Sequence, residues 1–334
     1  MNTISPLAGK LAILVLLLIT LACGTQTLPA TNSPAPTLAP IEITSTPSAI
    51  APTEFSPFPT FESTPPASGA VLHDVVYCTM DSVPLRMDIY FPTSQSGPSP
   101  VLVYVHGGGW TSGEKSEILG LRDLPMFTAA GYLVVSVDYR LAPEFHFPAM
   151  IQDVKCAVRY LRAHADEYNL DPDHIGAWGL SAGGHLVSLL GLADESAGWD
   201  VGEYLDQSSR VQAVVDMFGP ADFTQAGAQS ILPETMLETP DPTADLLAWL
   251  SPVTYISPDD PPFLIFHGNR DWIVPAEQAA LFDQRVRAAG VPSQLVIIQN
   301  AGHGLIPMGK PLQPSAAEVI QMMFTFFAQH LKTP

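Results

Sequence analysis

The sequence predicts an α/β fold in which a mostly parallel, doubly wound sheet follows an N-terminal antiparallel hairpin. Two observations indicate it. From about residue 70 onward, short apolar runs alternate with longer amphipathic segments, which is typical of repeated βαβ units. Val, Ile and Leu dominate the apolar runs, as in strands that helices cover on both faces. With 47% hydrophobic and 14% charged residues, the chain can bury a large core.

Residues 1–22 have the layout of a lipoprotein-type signal peptide. The apolar run Leu11–Leu21 follows Lys10, and it is shorter than the roughly 20 apolar residues that a spanning helix needs. Thr20-Leu21-Ala22-Cys23-Gly24 resembles the bacterial lipobox, although threonine stands where that motif usually has leucine. We therefore expect Cys23 to carry lipid and the protein to lie outside the cytoplasm, at the cell surface. Cleavage followed by full secretion is the alternative.

The segment 23–69 is predicted to be a tether. Residues 24–68 contain ten prolines, nine threonines and six serines, with few large apolar side chains to offset the entropy of ordering. A flexible chain of this length spans on the order of 40 Å. Residues 70–334 then form a single α/β domain.

The apolar runs of this domain give the candidate strands. Asp74–Thr79 and Leu85–Phe91 lie close together in the sequence and predict an antiparallel hairpin. The later strands are expected to be parallel: Val101–Val105, Leu133–Val137, Ile175–Trp178, Val211–Met217, Phe263–Phe266 and Gln294–Ile298.

Apolar residues spaced three to four positions apart predict helices between these strands: Met150–Asn169, Ala182–Leu192, Ala276–Ala289 and Ser315–Leu331. The stretch 221–250 is less regular because prolines interrupt it. Ligands of doubly wound proteins bind at the carboxyl ends of the strands, so an insertion here could overhang the site. We treat 221–250 as a candidate lid. The alternative is a surface segment that has no role in function.

Gly179-Leu180-Ser181-Ala182-Gly183 matches the G-x-S-x-G pattern between a predicted strand and a predicted helix. This is the context of the nucleophile elbow, a strained turn that exposes the serine Oγ. A side chain at position 179 or 183 would crowd the neighbouring strand and helix. We therefore predict Ser181 as a nucleophile.

A triple glycine follows another predicted strand. In His106-Gly107-Gly108-Gly109-Trp110, the glycines allow backbone N–H groups to approach an acyl oxygen to about 3 Å. We predict that Gly107, Gly108 and Gly109 form an oxyanion hole together with the N–H of Ala182.

The acid and base should follow the serine in the order Asp or Glu, then His. Asp271 lies just beyond the strand Phe263–Phe266, and His303 lies just beyond Gln294–Ile298. Both thus fall at strand carboxyl ends, the same edge as Ser181. We predict His303 as the general base and Asp271 as the acid that orients it.

Other residues compete for these roles. His267 is the nearest rival base, but it precedes Asp271 and abuts a buried strand, so we expect it to make structural hydrogen bonds. His106 and His185 flank the two loops, where we expect packing roles. Asp222 also follows a strand and is the alternative acid.

Composition and motifs disfavour several other classes of function. The chain contains neither H-E-x-x-H nor clustered Cys/His at zinc spacing, and no G-x-G-x-x-G opens a helix after the first parallel strand. We expect no metal and no cofactor. With 33 acidic against 14 basic residues, nucleic acid is an unsuitable partner, and a membrane contact is expected only through the N-terminal lipid. The spacing of Cys78 and Cys156 does not show whether they pair.

With these motifs in order, the chain from about Val75 to Leu331 resembles bacterial serine esterases of the α/β-hydrolase fold. These include acetylxylan-esterase-like, feruloyl-esterase-like and HGGG-type, hormone-sensitive-lipase-like carboxylesterases. The likeness rests on five motifs: His106–Trp110 with Ser112–Lys115, Asp138–Glu144 with Phe147–Ala149, Ser181–Leu186, Pro261–Asp271, and Gly302–Gly304.

This resemblance implies hydrolysis of carboxylic esters by a Ser181–His303–Asp271 triad, on a small-molecule or polysaccharide-linked ester. Hormone-sensitive-lipase-like enzymes carry a helical N-terminal cap where this chain has the Pro/Thr-rich segment. That difference favours the carbohydrate-esterase-like branch. A serine peptidase or an arylformamidase on the same fold is the alternative. An inactive surface binding module is disfavoured, because it would need neither the triad nor the glycine loop.

Overall fold

The computed structural model of the protein describes residues 65–117 and 124–332. The predicted signal peptide 1–22, Cys23 and the tether up to residue 64 lie outside the described residues. Their assignments stay predictions.

The chain enters the sheet through the predicted antiparallel hairpin. Strand β1 (Val71–Met80) pairs with β2 (Val83–Tyr90). The turn between them holds Asp81 and Ser82 at φ values of 49° and 65°, the left-handed conformation that tight hairpin turns require. β2 then pairs antiparallel with β4 (Leu133–Val137), which joins the hairpin to the rest of the sheet.

The remaining strands are parallel, as predicted. They are β3 (Ser99–Val105), β5 (Leu170–Leu180), β6 (Ala213–Met217), β7 (Phe263–Gly268) and β8 (Ser293–Ile298). The order across the sheet is β1-β2-β4-β3-β5-β6-β7-β8. The mostly parallel sheet with an N-terminal hairpin is therefore confirmed. β5 is longer than the predicted Ile175–Trp178, and β6 begins two residues later than predicted.

The helices are α1 (Leu124–Ala129), α2 (Ala149–Ala163), α3 (Ala165–Tyr168), α4 (Ala182–Leu192), α5 (Ala244–Trp249), α6 (Ala276–Ala288) and α7 (Ala316–Leu331). The single helix predicted over Met150–Asn169 is wrong, because His164 leaves helical geometry and divides it into α2 and α3. The short α1 and α5 have no clear periodicity and were not predicted. Among the described residues, no helix combines the length and apolar character that crossing a membrane requires.

Side chains of the central strands alternate between two apolar clusters, one on each face of the sheet. On β3, Val101, Val103 and Val105 join the larger cluster, whereas Leu102 and Tyr104 join the smaller one. Both faces are buried because helices cover them, which explains why these strands are apolar without interruption.

The insertion 221–250 is packed against the domain over part of its length. Phe223, Met236 and Leu250 are fully buried in the larger cluster, and the N–H of Phe147 donates to the carbonyl of Met236. Its role as a lid stays a prediction.

A disulfide and a buried ion pair link helix α2 to the sheet. Cys78 on β1 and Cys156 on α2 form a disulfide with a Cα–Cα distance of 6.5 Å. Arg140, which follows β4, is buried, and its Nη2 lies 2.7 Å from Oδ1 of the fully buried Asp153 on α2. The same guanidinium pairs with Asp81 in the hairpin turn. The motif Asp138–Glu144 therefore acts as a structural junction between hairpin, sheet and helix.

Candidate active site

Ser181 stands at the junction of β5 and α4 in a strained backbone conformation. Its φ and ψ are 55° and −115°, outside the conformations that a serine adopts at low cost. An ideal Cβ at Gly179 would lie 2.2 Å from the carbonyl oxygen of Gly183, and one at Gly183 would lie 2.1 Å from that of Val105. Only glycine fits at these two positions, as the elbow pattern predicts.

The structure brings the three predicted residues together. Nε2 of His303 lies 2.9 Å from Oγ of Ser181, and Nδ1 of His303 lies 2.7 Å from Oδ2 of Asp271. An ionised carboxylate can only accept, so Nδ1 carries the proton and donates it to Asp271. Nε2 is then free to accept from the serine hydroxyl. This is the tautomer that a general base needs.

The surroundings of Asp271 favour its charged form. Burial raises the pKa of this carboxyl, but hydrogen bonds from His303 and from the backbone N–H groups of Val274 and Ile273 lower it more, so the net pKa is below the ordinary value. The two N–H groups both bind Oδ1, at 2.9 Å. Oδ2 is thereby left for the histidine.

The glycine loop after β3 reaches the serine. An ideal Cβ at Gly107 would lie 2.9 Å from the carbonyl oxygen of Leu180 and 3.6 Å from Cβ of Ser181. Gly108 and Gly109 have φ values of 106° and 61°. Tyr139 fixes this loop because its hydroxyl donates to the carbonyl of His106 at 3.0 Å.

The N–H groups of this loop are available to a ligand. In the part of the chain that the structure describes, the backbone N–H groups of Gly107, Gly108, Gly109 and Ala182 donate to no protein acceptor. Ala182 is the first residue of α4, so its N–H points out of the helix at the positive end of the helix dipole. These donors beside Ser181 can stabilise a negatively charged oxygen.

The rival histidines are held in structural roles. Nδ1 of His185 accepts from Trp110 and its Nε2 donates to the carbonyl of Leu250, while burial lowers its pKa to about 4. His106 stacks on Tyr139 at 4.2 Å between ring centroids. His267 donates from Nε2 to the carbonyl of Val274 at 2.8 Å. Burial also lowers the pKa of His106 and of His267, so both are neutral near pH 7.

Asp222, the alternative acid, uses its carboxylate within its own turn. Oδ1 accepts from the N–H and the hydroxyl of Thr224, and Oδ2 accepts from Gln225. His303 is bound by Asp271 instead. The geometry therefore favours Asp271.

Sequence reasoning missed two residues at the end of β6. The ring of Phe218 lies edge-on to His303, with 5.0 Å between centroids. Oδ1 of the buried Asp216 accepts from the N–H of Gly219 at 2.9 Å, and burial raises the pKa of this carboxyl to about 7. The N–H of Ser181 donates to Met217, so this turn contacts both the serine and the histidine. Their position at the carboxyl end of a strand adjacent to β5 was the available signal.

Ser181 and His303 form the reactive pair of the site, and solvent can reach its base. The side chain of His303 is 18% exposed, whereas that of Asp271 is 0% exposed. Across residues 65–117 and 124–332, no group of three or more His, Cys, Asp and Glu side chains is arranged to hold a metal ion. The arrangement offers a nucleophile, a base and anion-binding donors.

Comparison with known proteins gives two family matches. Residues 87–286 match the BD-FAE family, and residues 250–331 match the dienelactone hydrolase family. Esterase LipC of Mycobacterium tuberculosis is 33% identical over 267 residues, which are 74% of this chain and 64% of that protein. The chain spans between 46% and 64% of the length of three mycobacterial relatives that it matches.

Solved structures of esterases are also similar. A truncated carbohydrate esterase from gut microbiota has a TM-score of 0.70 and 27% identity, covering 79% of this chain and 98% of that one. Esterase 2 of Thermogutta terrifontis, phosphorylated by paraoxon, has a TM-score of 0.65 and 26% identity, covering 77% and 93%.

Proposed function

This chain belongs to the BD-FAE family, and from that premise we propose that it hydrolyses carboxylic esters through a covalent acyl-serine intermediate. The similar solved esterases confirm the α/β-hydrolase fold. The observation that carries the proposal is the continuous hydrogen-bonded path from Oγ of Ser181 through His303 to Asp271.

Acylation begins when Oγ of Ser181 attacks the ester carbonyl. His303 accepts the hydroxyl proton at Nε2, and the imidazolium that forms is stabilised by the ionised Asp271. The carbonyl oxygen becomes negatively charged beside the N–H groups of the predicted oxyanion hole: Gly107, Gly108, Gly109 and Ala182. One such donor typically contributes about 3 kcal/mol to transition-state stabilisation. His303 then protonates the departing alcohol oxygen.

Deacylation repeats these steps with water. His303 removes a proton from a water molecule, the hydroxide attacks the acyl carbon, and Oγ of Ser181 leaves and takes the proton back. The products are a carboxylic acid and the regenerated enzyme. The proposed reaction steps use no cofactor.

The substrate is proposed to be a short acyl ester or an ester linked to a carbohydrate. Support comes from the similar gut carbohydrate esterase and from the motifs shared with acetylxylan- and feruloyl-esterase-like enzymes. A peptidase or arylformamidase on the same fold is the alternative. Comparing kcat/KM on acetylated xylan, feruloyl esters, short triglycerides and dipeptide amides separates these cases, and a preference for the amides would contradict the ester proposal.

Paraoxon should inactivate the enzyme by forming one phosphoryl-serine. An activated serine attacks phosphorus as it attacks an acyl carbon, the P–O bond to the 4-nitrophenyl group breaks, and 4-nitrophenolate leaves. The phosphorylated serine is stable because its geometry blocks the histidine-assisted attack of water. Mass spectrometry of tryptic peptides should locate one diethylphosphoryl group on Ser181. Labelling of a different residue, or full activity after prolonged treatment, would contradict Ser181 as the nucleophile.

We also propose that the protein acts outside the cytoplasm, anchored through Cys23. The apolar run Leu11–Leu21 before Cys23 supports export, and the Cys78–Cys156 disulfide is typical of an oxidising compartment. Mass spectrometry of the mature protein should find a lipidated cysteine at the N-terminus, and a Cys23→Ser variant should leave the membrane fraction. An unmodified N-terminus beyond residue 23 would contradict the anchor and favour full secretion.

A further inference from the structure

Large apolar side chains are exposed around the acid and the base of the triad. Seven large apolar residues are exposed among the described residues, and four of them lie within five positions of Asp271 or His303. We call these four the apolar rim: Trp272, Ile273, Ile306 and Met308. Trp272 is 77% exposed and Ile306 is 62% exposed, so these side chains project from the surface.

The two loops that carry the apolar rim are bonded to each other. The backbone N–H of Arg270 donates to the carbonyl of Ala301 at 2.9 Å, and Nη1 of Arg270 donates to the carbonyl of Met308 at 3.1 Å. The N–H of Met308 donates to Asn300 at 2.7 Å. The apolar rim therefore belongs to one connected surface.

This surface adjoins the histidine. An ideal Cβ at Gly302 would lie 3.2 Å from Sδ of Met308, and one at Gly304 would lie 3.7 Å from Cγ1 of Ile306. The two side chains thus pack beside the residues that directly precede and follow His303. Whatever covers the apolar rim comes to lie beside the reactive pair.

The polar groups of the two loops limit the kinds of molecule that can cover the apolar rim. The loops 268–276 and 299–312 carry Arg270 and Lys310, and their one carboxylate, Asp271, is buried. The two loops therefore carry no exposed carboxylate of their own, although the chain has a net charge of −19 and the exposed Glu277 follows the first loop. The side-chain amide of Asn269 is bonded to Gln299, and that of Asn300 to Pro311. These amides are engaged within the loops, which disfavours a partner that is recognised through many hydroxyl groups.

We propose that the apolar rim docks the active site onto the surface of an aggregated, uncharged lipid ester. The inference rests on the proposed esterase function, and of the two substrate classes proposed there it selects the acyl ester over the carbohydrate-linked ester. A small dissolved ester cannot cover four projecting side chains, whereas a deformable apolar phase can cover all of them. Tryptophan suits such a boundary because its ring is apolar and its N–H remains in contact with water. The acidic remainder of the chain excludes an anionic lipid surface as the partner.

Flotation with oil droplets tests the docking without turnover. Ser181→Ala protein is mixed with triolein droplets stabilised by phosphatidylcholine, and the fraction that floats is measured. Adding Trp272→Ser and Ile306→Ser should weaken droplet binding by at least about tenfold, since both substitutions remove apolar contact. Leu205→Ser is the matched control, because Leu205 is a large apolar side chain that is 60% exposed and does not belong to the apolar rim. It lies beside Glu203, whose carbonyl accepts a hydrogen bond from Arg159 of α2. It should float like the parent protein.

Kinetics with the active enzyme give a second measurement. The rate on tributyrin should rise sharply once its concentration passes the solubility limit, and the rise should be lost in the Trp272→Ser, Ile306→Ser double variant. Equal flotation of the parent and the double variant would overturn the proposal. So would unchanged flotation with loss of activity on acetylated xylan, which would assign the apolar rim to a polysaccharide. If the wild type fails to cleave dissolved p-nitrophenyl acetate, the proposed function fails, while flotation still decides the docking.

Discussion

Replacing Ser181 with alanine should lower kcat for p-nitrophenyl acetate by about 10⁵- to 10⁶-fold. The acyl intermediate forms on Oγ, and no other side chain of the triad can take its place. The substitution keeps Cβ, so the strained backbone and the glycine contacts of the elbow are retained. Steady-state rates of the purified protein, with circular dichroism to verify folding, measure the effect.

Ser188→Ala provides the control for this experiment. Ser188 is buried on the same helix as the elbow and lies beside the carboxyl of Asp216, so the variant removes a hydroxyl from α4 but changes neither Ser181 nor His303. Its kcat should remain within about threefold of wild type, as expected for a residue outside the reaction. A Ser181→Ala protein that keeps more than about 1% of the wild-type kcat would refute the acyl-serine mechanism, because a triad without its nucleophile retains far less.

Replacing Asp271 with asparagine should lower kcat by about 10⁴-fold with a small change in KM. The amide is almost the same size, but it can present its NH₂ group to His303 and thereby favour the tautomer with the proton on Nε2. That tautomer cannot accept from the serine hydroxyl. The lost charge also no longer stabilises the imidazolium. The loss should therefore appear in kcat and in the rate of paraoxon labelling.

Asp222→Asn is the matched comparison, because Asp222 also follows a strand at this edge and is the alternative acid that the sequence offers. It binds Thr224 and Gln225 rather than the histidine, so its variant should keep kcat within a few-fold of wild type. If Asp222→Asn were the more damaging substitution, the assignment of the orienting acid would be wrong.

The nucleophile and the sheet were predictable because their requirements are local. Only glycine tolerates the 2.1 Å and 2.2 Å approaches at the elbow, so the constraint appears directly as a sequence pattern. Strands buried on both faces likewise need uninterrupted apolar side chains, and Leu133–Val137 was predicted with its correct bounds. The assignment of Asp271 and His303 also required the order of the triad residues along the chain and the resemblance to serine esterases.

Features that depend on distant parts of the chain were not predictable. Cys78 and Cys156 are 78 positions apart, and only the packing of α2 against the hairpin brings them together. His164, at the break between α2 and α3, contacts the ring of Tyr204, which lies forty positions further along the chain, with 5.5 Å between the ring centroids. Phe218 looks like the end of an apolar run, and its contact with His303 depends on two loops from different strands.

The strand order has a consequence for how activity is lost. The serine and the glycine loop follow β5 and β3, which are paired on both sides in the interior of the sheet, whereas the histidine follows β8, which is paired on one side only. Segments with fewer partners open at lower free energy than the interior of a domain. If β8 separates from β7 at this edge of the sheet, His303 moves away while Ser181 and the oxyanion donors stay in place. Inactivation can therefore precede unfolding, and it is reversible as long as the interior strands remain intact.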